Sequence, residues 1–174
     1  MSTALLIIDM INTLDFPEGK SLLKYSLPVA KNILRLKKKF RAQKKPVIYV
    51  NDNFGMWRSS WLDVYEKCSR FGSMGAELAL MLKPDEKDYI ILKPKHSGFY
   101  STNLDNLLAE LKVKKLVITG IAGNICVLFT ANDAHMRGYE IHVPKNCIAS
   151  ASVKLNDFVT LQLSKVFKIE TSKI

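Results

Sequence analysis

Runs such as ALLIID (4–9), PVIYVN (46–51) and KLVITGI (115–121) are apolar at consecutive positions rather than at alternate ones. A strand with one face in water alternates polar and apolar residues, so an unbroken apolar run of strand-forming types belongs to a sheet covered on both faces. YIILK (89–93), YEIHVP (139–144) and KVFKIE (165–170) extend the series to six expected strands. Between them the apolar period changes to 3.6. Pro28 to Gln43 carries the stripe Val29, Ile33, Leu36 and Phe40, and Asn103 to Lys112 carries Leu104, Leu107, Leu108 and Leu111. A third helix is expected from near Cys126 to Gly138, a residue suited to a helix stop. Thr102 and Asp105 have the spacing of a capping box at the start of the second helix. Strands alternating with helices specify a three-layer, doubly wound α/β domain with a mainly parallel sheet and helices on both faces. Asn53 to Pro84 is the least regular stretch and reads as helical segments and loops over one end of the sheet. With no repeat, low-complexity tract or linker to divide it, the chain reads as one domain, 1–174.

Several function classes are disfavoured. The net charge of +10 raises nucleic-acid binding, with RLKKKF (35–40), QKK (43–45) and KVKK (112–115) as local clusters. The lysines of the first cluster fall between stripe residues and are expected on the outward face, and no helix-turn-helix or aromatic-interleaved signature accompanies them. A basic surface would still draw in an anionic substrate. TALLIIDMI near the N-terminus is interrupted by Asp9 and lacks the basic lead-in of a signal peptide, and no segment stays apolar for the roughly 18 residues of a membrane span. Cys68, Cys126 and Cys147 are odd in number and lack metal-ligand spacing, which fits a reducing cytoplasm. The dinucleotide and P-loop glycine patterns are absent from the sequence.

Doubly wound sheets bind ligands outside the carboxyl ends of their strands. Three polar residues stand at such ends: Asp9 after TALLII, Lys93 after DYIIL, and Cys126 shortly after KLVIT. Each has a structural alternative as a turn cap, a surface lysine and a small buried hydrophobe. Together they offer an acid, a cation and a thiol to one cleft. A thiol attacks as thiolate, and a helix start with a lysine nearby favours that ion, while a carboxylate can take its proton. A Cys126–His135 pair is excluded by geometry, because nine residues place the imidazole on the opposite helix face and roughly 13 Å along the axis. His142 reads as a strand residue, and His96 sits in a loop where it could touch substrate. Cys68 and Cys147 read as packing residues. Trp57 and Trp61 are four apart and would share a face if their segment is helical.

Three stretches resemble the isochorismatase-like cysteine hydrolases, a family that includes nicotinamidases and N-carbamoylsarcosine amidohydrolases. LLIIDMINTLDF (5–16) resembles the strand that ends in its catalytic aspartate, LKPKHSGFYSTNLDNLL (92–108) its lysine motif, and VITGIAGNICVLFTANDAHMRGYEIHV (117–143) its nucleophile motif. The resemblance implies a catalytic triad of Asp9, Lys93 and Cys126, a strand order of 3-2-1-4-5-6, and a cis peptide at Ile121–Ala122. It also implies an oxyanion hole formed by the backbone N–H groups of Ala122 and Cys126. Phe16, Phe99, Tyr100, Asn124 and Ile125 adjoin these motifs and are the candidate substrate-binding residues. Self-association into a homo-oligomer is expected by the same resemblance.

The departures narrow the substrate. Nicotinamidases of the family carry Asp-x-His after the second strand and bind a metal there; this chain reads Asp52-Asn53-Phe54, so no metal and no other cofactor is expected. Isochorismatases proper do not use cysteine at the nucleophile position. Gly123, Asn124 and Asn146 also depart from the commonest family residues. The expectation is hydrolysis of an amide or ureido C–N bond in a small molecule. A non-amide hydrolase of the isochorismatase type and a catalytically idle, ligand-binding relative stand as alternatives.

Overall fold

The computed structural model describes residues 2–58 and 60–174. Its strands are β1 (Ser2–Ile8), β2 (Val47–Asp52), β3 (Tyr89–Lys93), β4 (Val113–Ile121), β5 (Glu140–His142) and β6 (Ile148–Ala149). They form one parallel sheet in the order β3-β2-β1-β4-β5, with β6 also on β4. Because β5 pairs with Lys115–Val117 and β6 with Gly120–Ile121, the two lie end to end along one edge of β4.

The strand expected at 165–170 does not form. Leu163 and Phe167, one helical turn apart, pack on the core, and Gln162–Val166 is a π-helical turn continuing the last helix. Only Glu170 reaches the sheet, in a parallel bridge to His142, so it holds the outermost place that a sixth strand would have taken. The expected order therefore holds through β5 and then differs.

Alternation along the strands divides the interior in two. Leu5, Ile7, Val47, Tyr49 and Val117 face α1 (Gly19–Ala42), α2 (Trp61–Ser69) and α3 (Ala76–Met81). Leu6, Ile8, Ile48, Val50 and Ile118 face α4 (Leu104–Glu110), α5 (Leu128–Met136) and α6 (Val153–Leu161). Each central strand is thus apolar on both sides, which is why its sequence shows no polar alternation.

Helix boundaries differ from expectation for local reasons. α1 begins well before Pro28, because Leu22 and Ser26 continue its buried stripe and the Ser26 hydroxyl donates to Leu22 O at 2.7 Å. Lys37 is not on the outward face. It is buried, with Nζ 2.8 Å from Asp88 Oδ2, 2.8 Å from Lys83 O and 5.1 Å from the Tyr49 ring centroid. Thr102 and Asp105 do not form a capping box: Thr102 Oγ1 accepts from Leu104 N and donates to Gly98 O, while Asp105 pairs with Arg137. The box forms instead at Ser60 and Asp63, opening α2. Trp57 is exposed outside that helix, whereas Trp61 packs between Tyr49 and Tyr65.

Candidate active site

Asp9, Lys93 and Cys126 meet at the carboxyl end of the sheet. Asp9 leaves β1 with a φ of 50° and donates its N–H to Val50 O. Its Oδ1 accepts from Asp52 N at 2.7 Å, and its Oδ2 lies 2.8 Å from Lys93 Nζ. Lys93 ends β3 in register with Asp52, so adjacent strands fix the two partners of Asp9 relative to each other. With no exposed surface, the Lys93 ammonium also stands 3.6 Å from Cys126 Sγ and 3.6 Å from Asp52 Oδ2.

Burial raises Asp9 above the ordinary carboxylate value, against the opposing pull of Lys93 and of hydrogen bonds from Cys126 and Asp52 N–H. Burial also works against the charge on Lys93, yet Asp9, Cys126 and Asp52 together hold it above the usual lysine value. For Cys126, burial and then the Asp9 charge drive the thiol upward, and Lys93 only partly offsets them. Burial is thus the largest influence on all three groups, opposed at Asp9 and Lys93 by their mutual pairing, and it disfavours the thiolate at Cys126.

Cys126 is not in the first turn of an α-helix. It belongs to a π-helical turn, Gly123–Val127, that leads into α5 and follows a cis peptide at Ile121–Ala122. Its carbonyl accepts from the Thr130 hydroxyl at 2.7 Å, and Thr130 Oγ1 accepts from Gly98 N. The loop after Lys93 is therefore tied to the helix after Cys126. A side chain at Gly98 would press on Val50 Cγ1, which explains the small residue there. On the other flank Ser150 Oγ accepts from Asn124 N and contacts Asn156 Oδ1, bracing the turn before the thiol.

A cavity of about 510 Å³ opens over these groups, within the range that holds small ligands. Of the candidate binding residues, Phe16, Asn124 and Ile125 line it. Phe99 and Tyr100 do not. Phe99 is buried in the core against Tyr139 with Arg137 over its ring, and Tyr100 is exposed away from the cavity. Nearness in sequence to Lys93 put both on the candidate list, and the turn at 98–102 carries them away. Ala122 and Cys126 are on the cavity wall, as is His96, whose ring packs against Phe129. His135 packs against Phe167, and His142 Nε2 lies 2.9 Å from Ser172 O.

The sequence reading did not single out Asn12, Glu18 and Leu22 after β1, or Ala151 and Leu155 near α6, as wall residues, and it named Asp52 only in connection with a metal. Buried Asn51 also went unnoticed; its side chain bonds both N–H and C=O of Ile11 and so holds the loop after Asp9. A polar residue ending the apolar run PVIYVN was the available signal.

The sequence matches the Isochorismatase domain family over residues 3–173. It is 45% identical to the uncharacterized isochorismatase family protein YaaI of Bacillus subtilis, over 96% of this chain and 91% of that one. The chain belongs to the isochorismatase family. Over 39% of its length it is 41% identical to the ureidoacrylate amidohydrolase RutB of Methylorubrum extorquens, covering 27% of that protein. The N-carbamoylsarcosine amidase of Thermoplasma acidophilum superposes with a TM-score of 0.74 at 27% identity, over 99% of this chain and 96% of that one. Within this isochorismatase-family site, a metal beside Asp52 finds no ligand set. Asp52 Oδ1 accepts from Phe54 N at 2.6 Å, Phe54 faces the cavity, and among the described residues no three His, Cys, Asp or Glu side chains are placed to hold a metal ion.

Proposed function

We propose that the protein hydrolyses an amide or ureido C–N bond of a small molecule, with Cys126 as nucleophile, Asp9 as acid and base, and Lys93 as the cation that holds them. One observation carries this reading: a single buried ammonium lies 2.8 Å from Asp9 and 3.6 Å from Cys126 beneath a ligand-sized cavity. The relatives named as an amidohydrolase and an amidase support the same chemistry.

With substrate bound, the thiol proton moves to Asp9. The transfer leaves the total charge of the three groups unchanged, so the buried site avoids taking on a new net charge. Sγ attacks the carbonyl carbon, and the developing oxyanion is met by the N–H groups of Ala122 and Cys126, each such donor being worth on the order of 3 kcal/mol. Protonated Asp9 then gives its proton to the leaving nitrogen, the C–N bond breaks, and ammonia or an amine departs from a thioester. Water attacks the thioester as Asp9 takes its proton. Collapse releases the acid, and the proton on Asp9 returns to the sulfur.

Ammonia release from a panel of small amides, ureido compounds and isochorismate tests this reading. Wild-type protein is expected to release ammonia from at least one amide or ureido compound. Cys126→Ala is expected to lose at least about 10⁴-fold in kcat while keeping its circular dichroism spectrum. Undiminished hydrolysis in that variant, or turnover of isochorismate alone, overturns the proposal.

A further inference from the structure

The cavity above Cys126 is negative in a protein whose net charge is +10. Asp9, Asp52 and Glu18 face it, and among the described residues no lysine or arginine lines its walls. The cation beneath its floor, Lys93, is already shared, at 2.8 Å from Asp9 Oδ2 and 3.6 Å from Asp52 Oδ2. One positive charge therefore meets two negative ones, and Glu18 at the exposed mouth adds a third. The thiol adds nothing while it keeps its proton. Asp52 spends Oδ1 on Phe54 N–H, and its partly exposed side chain leaves Oδ2 as the oxygen open to a ligand. Much of the remaining wall is apolar, including Phe16, Leu22, Phe54, Ile125 and Leu155.

A carboxylate entering this space would leave water for a chamber where every lining ion has its own sign, which is a repulsive arrangement. A protonated amine would exchange its hydration for charge-assisted hydrogen bonds to Asp52 or Glu18. The positive field of the whole surface acts over longer distances and is screened by salt, so it does not reverse the sign of contacts inside. We propose that the site selects a small amide with an apolar body and a protonated amine, rejects amides that carry a carboxylate, and that Asp52 determines this choice. The proposal rests on the amide-hydrolase reading and names the substrate class of the same site.

Benzamide, 4-(aminomethyl)benzamide and 4-carbamoylbenzoate share one skeleton and differ in charge. Their binding to the Cys126→Ala protein is measured by calorimetry at pH 8 and low salt. The aminomethyl compound is expected to bind tightest and the benzoate weakest, with at least about a tenfold span in Kd. Asp52→Asn and Glu18→Gln, each placed in the Cys126→Ala protein, and 0.5 M salt are each expected to narrow that span. Equal or tighter binding of the benzoate, no binding of any of the three, or a span unchanged in the Asp52→Asn variant overturns the proposal. Wild-type hydrolysis is read in parallel. The expected charge order in binding with no ammonia from any amide defeats the hydrolase reading and leaves the selectivity standing. Fastest ammonia release from the benzoate defeats the selectivity and leaves the hydrolase standing.

Discussion

The proposed nucleophile, Cys126, differs from a thiol that is ionised in advance. The sequence places a cysteine near a helix start, where the macrodipole and a lysine favour thiolate. In the folded chain the thiol is half-buried and faces Asp9, and those two effects outweigh Lys93. In the proposed reaction, ionisation therefore waits for Asp9 to accept the proton. In the free protein, iodoacetamide is expected to label Cys126 at pH 7 no faster than an ordinary peptide thiol. Rapid, selective labelling at pH 6, read by peptide mass spectrometry, would show a preformed thiolate and overturn this. The identities of Asp9, Lys93 and Cys126 were legible because polar residues at apolar strand ends stand out. Phe99 and Tyr100 were misplaced because a turn separates chain neighbours in space, and no pattern in HSGFYST announces its direction.

Among the elements, β1 and β4 approach closely at one glycine. Gly120 pairs with Ile8 at a φ of 118°, and a Cβ there would lie 2.1 Å from Ile8 O. Both the left-handed backbone and the approach of a neighbouring strand forbid a side chain. Gly120→Ala is expected to cost about 3 kcal/mol or more, the sum of backbone strain and overpacking of one to a few kcal/mol each. Urea denaturation measures it, and a loss below about 1 kcal/mol would show that the strands can part. β1 to β4 were readable from unbroken apolar runs, while β5 forms only the stretch 140–142 of YEIHVP. KVFKIE misled because Leu163 and Phe167 satisfy a helical period that the six-residue window cuts off. The early start of α1 was hidden by Pro28, a residue that normally opens helices. Lys37 was placed outside because its burial depends on Asp88, which is 51 positions away in sequence and carries a side chain only 1% exposed.

For the molecule as a whole, the thiols shape the alkaline limit of stability. Burial pushes Cys68 up to about 11 and Cys147 up to about 12, and Cys126 is raised as well. Native chains then keep protons that unfolded chains release once pH passes the ordinary thiol value near 9, so the native state binds more protons and stability falls as pH rises. Each fully linked thiol contributes a slope of about 1.4 kcal/mol per pH unit. Urea unfolding between pH 8 and 11 is expected to show the decline, and Cys68→Ala to flatten it after an offset for the lost side chain. An unchanged slope in that variant would remove Cys68 from the account.

The sheet order has a consequence for how the chain is made. β1 is synthesised first, yet its neighbours are β2 and β4, and its last register partner on β4 is Gly120. Until β4 has left the ribosome, the central strand has one open edge, and the contacts closing it span more than a hundred residues. Such long-range pairing is slow, and an open apolar edge invites association with other chains. Cys126 follows β4 immediately, so the sulfur joins Asp9 and Lys93 only when the edge closes. The same late event that completes the sheet also assembles the three side chains of the site.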